Sequence, residues 1–218
     1  MKELNSYKIM SMKNLINSAR TILEKEGIDA ITIRKVGDLS GFNSATMYNY
    51  FENLEHLKVF VCLFSFEEYL DDIKNYIKKS DDEIMYNYFA VWECFLLHTM
   101  KNVDVFYTLF FNQLNRSISE YVDEYYSVFP REEKDYGDVI NSMLKNYSIE
   151  SRNILMVKDI AKKGYIEENS IDFINDLTSF TYESILFRVY KGFMSPEEGK
   201  TQIMKYVRSI LESKLIEK

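Results

Sequence analysis

Two groups of side chains in this 218-residue chain could do chemistry. The larger lies in the run Gly41 to Leu57, GFNSATMYNYFENLEHL. There Ser44, Ala45, Thr46, Tyr48, Asn49 and Tyr50 are small or hydrogen-bonding, while Met47 and Phe51 sit about one helical turn apart on the only apolar side. A helix of that kind anchors one face and leaves hydroxyls and an amide for a partner, the groups that bind phosphates and read base edges. The smaller group is Cys94 and His98, whose separation of four puts both on one face of a helix as candidate metal ligands. Two ligands do not complete a site, so His98 is assigned to a core or pocket and no metal is expected. The sequence has no phosphate-binding glycine loop, dinucleotide fingerprint, zincin motif or Glu-x-x-His pair, so neither a cofactor nor enzymatic activity is expected.

Gly41 supplies a turn conformation that a side chain opposes, and Asn43 is an N-cap for a helix beginning at Ser44. Upstream, TIRKVGDL carries a second helix signal, with Thr32 as N-cap and Ile33, Val36 and Leu39 on one face. A first helix is expected from about Ser6 to Lys25, closed by Gly27. The expected core of this three-helix unit is Leu15, Ala19, Ile22, Val36, Leu39, Met47 and Phe51. Two short helices around a tight glycine turn make a helix-turn-helix, in which the second helix enters the major groove.

The residues Ala19, Gly27, Thr32, Arg34, Gly41, Thr46, Tyr48, Tyr50, Phe51 and Leu57 stand at the spacings of the DNA-binding domain of TetR-family transcriptional regulators, which the first quarter of the chain resembles. Three positions depart from that pattern: Gly37 and Ser40 replace Ala, and Leu54 replaces a Lys that commonly contacts phosphate. The resemblance implies an all-α chain, with an N-terminal homeodomain-like helix-turn-helix domain at 1–52 and a C-terminal helical effector and dimerisation domain at 53–218. It also implies a cytoplasmic repressor that binds an inverted-repeat operator in double-stranded DNA as a homodimer and is released by a small effector. Thr32, Arg34, Thr46, Tyr48 and Tyr50 are expected on phosphates, with Ser44, Ala45 and Asn49 on base edges because they project from the middle of the recognition helix.

Composition agrees with a folded helical protein: 46% hydrophobic and 28% charged residues, with two prolines and seven glycines. The N-terminal segment lacks an apolar core followed by a small-residue cleavage site. The run Phe89 to Met100 is interrupted by Glu93 and is too short to span a bilayer, so no membrane association is expected. Cys62 and Cys94 fit no paired spacing and read as buried thiols. Net charge is −7, yet residues 1–58 hold eight Lys/Arg against seven Asp/Glu and the remainder nineteen against twenty-seven. The acidic excess therefore lies beyond the motif, as suits a protein that meets a polyanion with one end.

Beyond the motif, a long helix capped by Asn53 is expected to run to about Ile77 and link the two domains. A capping box at Ser80-Asp81-Asp82-Glu83 starts a helix to about Met100, and one further helix is expected from Val103 to Tyr125. The polar stretch Ser127 to Asp138 is a loop. Helices then resume near Val139, with a break near Tyr147 and Ser148 and a stop at Gly164, start again near Ser170, and finally at Ser195-Pro196-Glu197-Glu198. In the last two helices Phe173, Phe180 and Phe187 recur every seventh residue, and Ile203, Val207 and Ile210 face one way. A helix apolar on two faces needs two partners, so these residues are the dimer-interface candidates; the alternative is a broad buried face within a monomer. Trp92, Phe95, His98, Tyr107, Phe110, Phe111, Gln113, Tyr147, Phe180, Tyr182 and Phe187 are candidates for lining an apolar or aromatic effector pocket, against the plainer reading that they are core. The rival to a DNA-binding regulator is a helical ligand-binding or interaction protein with a degenerate helix-turn-helix, favoured by the absence of Lys and Arg from Gly41 to Phe51.

Overall fold

A computed structural model of the chain describes residues 6–78, 83–131 and 134–216. Among these residues the architecture is all-α, and the extended pairing is one isolated bridge between Ile166 and Leu215. No described helix is long and apolar enough to cross a membrane. The chain divides into two compact units, one formed by residues 1–66 with 112–133 and the other by 67–111 with 134–218.

In the first unit, α1 (Ser6–Glu26) carries Leu15, Ile16, Ala19 and Ile22 on its buried face. Gly27, at φ 84°, turns the chain into a short 3-10 segment at Ile28–Ala30. The Thr32 hydroxyl then accepts from the Lys35 amide and starts α2 (Ile33–Ser40), which ends in the left-handed conformation at Gly41, φ 77°. Asn43 caps α3 (Ser44–Met47), shorter than the sequence suggests because residues 48–50 continue it only as turns. The Asn53 side chain accepts from the His56 amide at the start of α4 (Leu54–Asp72). The expected core is buried except for Leu39, which is 53% exposed. The buried line of α2 runs instead through Val36 and Gly37, leaving Leu39 on the flank.

The expected single helix from Val103 to Tyr125 is two helices, α6 (Val103–Phe111) and α7 (Ile118–Val128). Ser117 and Glu120 form a reciprocal capping box, which restarts the chain with its own amide donors satisfied. α7 belongs to the first unit, where the Tyr121 hydroxyl donates to Glu55 at 2.7 Å and the Asn115 amide donates to the same carboxylate at 2.9 Å.

The second unit contains α5 (Ile84–Lys101), α6, α8 (Asp138–Leu144), α9 (Ile149–Lys162), α10 (Ile171–Tyr190) and α11 (Pro196–Glu212). The expected capping box before α5 lies at residues 80–82, outside the described residues, although Glu83 is described. Ser148 caps α9, and the box at Ser195 and Glu198 opens α11 with proline at its start. α10 packs against α11, α9 and α6, and α11 also against α5. A Cβ at Gly199 would stand 2.6 Å from the Val189 side chain, which shows how closely α11 approaches α10.

Candidate functional site

In the first unit the helix-turn-helix presents a polar surface over an apolar anchor. Met47 and Phe51 are each 3% exposed, whereas Ser44, Ala45, Tyr48 and Asn49 are exposed and Thr46 and Tyr50 half-buried. The Asn43 carboxamide accepts from both the amide and the hydroxyl of Thr46, each at 2.8 Å, so the start of α3 is held by its own side chain. Phe42 and Tyr50 meet edge to face at 6.2 Å and brace the other end. Arg34 is 91% exposed and lies 3.9 Å from Asp38, a distance at which an exposed pair contributes little. Lys35 is paired with Glu26 at 2.6 Å. Gly37 has a steric reason: a Cβ there would lie 2.7 Å from the Phe42 carbonyl oxygen, so the turn between α2 and α3 passes over position 37 only when it is bare.

In the first turn of α4, His56 is buried among Phe51, Phe60 and Tyr121. Its Nδ1 accepts from the Glu52 amide at 3.3 Å, which leaves the ring's proton on Nε2, 3.4 Å from Glu124. Burial lowers the His56 pKa; Glu124 and Glu52 raise it, and Arg116, bonded to Glu124 at 2.9 Å, lowers it.

In the second unit a small cavity is walled by Tyr69, Tyr88, Val91, Trp92, Phe95, Met143, Ile149, Arg152, Asn153 and Met156. At about 30 Å³ it has room for roughly two water molecules and none for an aromatic ligand as it stands. Its polar wall is ordered by hydrogen bonds. Asn153 accepts from the Tyr88 hydroxyl at 3.1 Å and the Trp92 indole at 3.2 Å, and donates to Asn175 at 3.0 Å. Arg152, 5% exposed, donates to the Tyr69 hydroxyl at 2.7 Å and lies over the Tyr69 and Phe95 rings.

No protein-family model matches the chain, and no curated protein matches it in sequence. Solved structures do. A TetR transcription regulator from Haloarcula marismortui superposes with a TM-score of 0.61 at 13% identity, covering 95% of this chain and 99% of that one. Thermus thermophilus FadR, a TetR-family transcriptional repressor solved in complex with lauroyl-CoA, gives 0.59 at 12% identity over 95% and 96%. A TetR-family regulator from Shewanella sp. PV-4 gives 0.55 at 12% identity over 95% and 99%. The chain has the TetR-family fold.

Within this TetR fold the nucleic-acid candidates lie together, on α2, α3 and the turn after it. The effector candidates do not. Trp92 and Phe95 line the cavity, but Phe106, Phe110, Phe111 and Tyr182 fill the space beside Phe95 as a cluster of ring contacts. Tyr107 stacks on Tyr190 with centroids 4.1 Å apart. Phe180 and Phe187 are 59% and 41% exposed and do not line the cavity, Gln113 is exposed in the first unit, and Tyr147 does not line the cavity either. His98 bonds Asp72 at 3.0 Å rather than facing the cavity. The missed lining residues include the polar ones, Tyr69, Tyr88, Arg152 and Asn153, besides the apolar Val91, Met143, Ile149 and Met156. Their signal was present: Arg152 and Asn153 occupy the line of Ile149, Met156 and Ile160 on α9, where polar side chains are buried and must be bonded.

The dimer candidates also divide. Phe173, Leu177, Phe180 and Phe187 form one exposed line along α10. Ile203 and Val207 are fully buried, because the one apolar face of α11 is used by its own core; Ile210 is half-exposed.

Proposed function

We propose that the chain is a ligand-responsive transcriptional regulator, a repressor that binds an inverted-repeat operator as a two-fold dimer and releases it when a small effector enters the second unit. The observation that carries this reading is α3, a helix pinned by Asn43, anchored by Met47 and Phe51, and exposing Ser44, Ala45, Tyr48 and Asn49 on a fold shared with transcription regulators. Residues 1–52 serve as the DNA-binding domain and 53–218 as the effector and dimerisation domain. Thr32, Arg34, Thr46, Tyr48 and Tyr50 take phosphates, and Ser44, Ala45 and Asn49 take base edges. The dimer forms along the exposed line of α10, through Phe173, Phe180 and Phe187.

The effector is an apolar or aromatic compound that opens the cavity beside Trp92 and Phe95 and meets Arg152 and Asn153 at its polar wall. Support for a ligand in such a fold comes from the Thermus thermophilus repressor, solved with lauroyl-CoA. α4 offers the route for coupling, since it begins three residues after Phe51 and ends at Asp72 in the second unit. A ligand acts through it only by preferring one of two states, and operator then weakens ligand by the same factor that ligand weakens operator.

The rival without DNA draws on the shortness of α3 and the absence of cations along it. Selection from a random duplex pool, followed by binding at two salt concentrations, separates the two readings. A regulator enriches a two-half-site sequence and binds it with affinity that falls steeply with salt. Failure to enrich any sequence at low salt would establish the rival.

A further inference from the structure

Cys94 and His98 lie on successive turns of α5, and Asp72 is the last residue of α4. Their thiol, imidazole and carboxylate donor atoms all lie within 4.8 Å of one another, with Asp72 Oδ2 3.0 Å from His98 Nε2. Cys94 is fully buried and His98 is 8% exposed, while the Asp72 side chain is 30% exposed and leaves the group open to solvent on one side.

Hydrogen bonding accounts for only part of this arrangement: His98 Nε2 meets Asp72 Oδ2, and Asp72 Oδ1 accepts from the Asn75 side chain at 2.8 Å. His98 Nδ1 is buried without a hydrogen-bond partner among the described residues, an omission that ordinarily costs about 1–3 kcal/mol or marks an ion or water. A divalent cation draws a thiolate and a carboxylate towards one centre and cancels their charge.

We propose that Asp72, Cys94 and His98 form a three-ligand zinc(II) site in the second unit, with the fourth position open to water or a small ligand. One sulfur, one nitrogen and one oxygen donor suit zinc, and the thiolate disfavours calcium and magnesium. On binding, the Cys94 S–H bond breaks, the sulfur pair passes to the metal, and the proton leaves to solvent. The site stands independently of DNA binding.

Cobalt(II), titrated into the reduced, metal-free full-length protein, is the probe. One thiolate-to-cobalt charge-transfer band per chain is expected, removed by added zinc(II). Cys94→Ser abolishes the band, and Asp72→Asn and His98→Gln each weaken binding by at least about tenfold, the loss that even outer-shell partners can cause. Cys62→Ser leaves binding unchanged. Helical circular dichroism verifies each fold, and because Asp72 is partly exposed its variant remains informative if Cys94→Ser does not fold. No charge-transfer band, a band that survives Cys94→Ser, or wild-type affinity in folded Asp72→Asn would overturn the site.

Discussion

Gly37→Ala would bring a methyl group within 2.7 Å of the Phe42 carbonyl oxygen, and the atom it meets is backbone, which cannot swing aside. The substitution is expected to destabilise the first unit by about 1–3 kcal/mol, read as a lower urea midpoint. On the binding surface, Asn49→Ala should cost about 1–3 kcal/mol on the best operator and relax its sequence preference. Arg34→Ala should instead weaken all sequences alike and lower the salt slope by about 1 per subunit. Swapped outcomes would refute the two roles. His56 gives a pH expectation whose sign is fixed by geometry. Its Nδ1 is already occupied by the Glu52 amide, and burial lowers its pKa from 6.5, so the unfolded chain binds the proton first. Stability is therefore full above about 6.5 and falls as pH drops below it towards the lowered folded value. Glu124 and Glu52 oppose this effect and Arg116 reinforces it. Urea midpoints on either side of 6.5 should show the loss, and His56→Gln should shrink it.

Among elements, α10 and α11 answer the same apolar pattern differently. On α10 the seven-residue recurrence of phenylalanine is a second apolar face, distinct from the buried line of Ile174, Thr178, Tyr182 and Ile185. On α11 there is a single face, through Gly199, Ile203, Val207 and Leu211, and the core takes it. Phe180→Glu is accordingly expected to shift the protein to monomer in sedimentation while helical content is kept. Ile203→Glu is expected to unfold it, because a charge would enter the core. A Phe180→Glu protein with unchanged oligomeric state would remove α10 from the interface. Helix starts were legible where a cap stood clear of apolar sequence, as at Thr32, Asn43, Asn53 and Ser195. The break between α6 and α7 was not, since the surrounding apolar run masked the Ser117 and Glu120 box.

At the scale of the molecule, the helical class and the helix-turn-helix elements could be read from turn chemistry and short-range spacing. The division into units could not. α7 joins the first unit through Tyr121 and Asn115 on Glu55 and through Tyr125 against Phe60, contacts between residues about sixty apart that no local pattern encodes. The cavity wall was illegible for a related reason: aromatic side chains are equally able to line a hollow or to fill one, and here Phe106, Phe110 and Tyr182 fill it. The two buried cysteines have a use of their own. Cys62 lies in the first unit and Cys94 in the second, each fully covered. A thiol reagent reaches either one only when its unit opens, so in the metal-free protein the two modification rates form a pair of built-in clocks. Operator added to the solution should slow the Cys62 clock, and a compound lodged among the second unit's aromatic residues should slow the Cys94 clock, which makes peptide mapping of labelled thiols a direct screen for both kinds of partner.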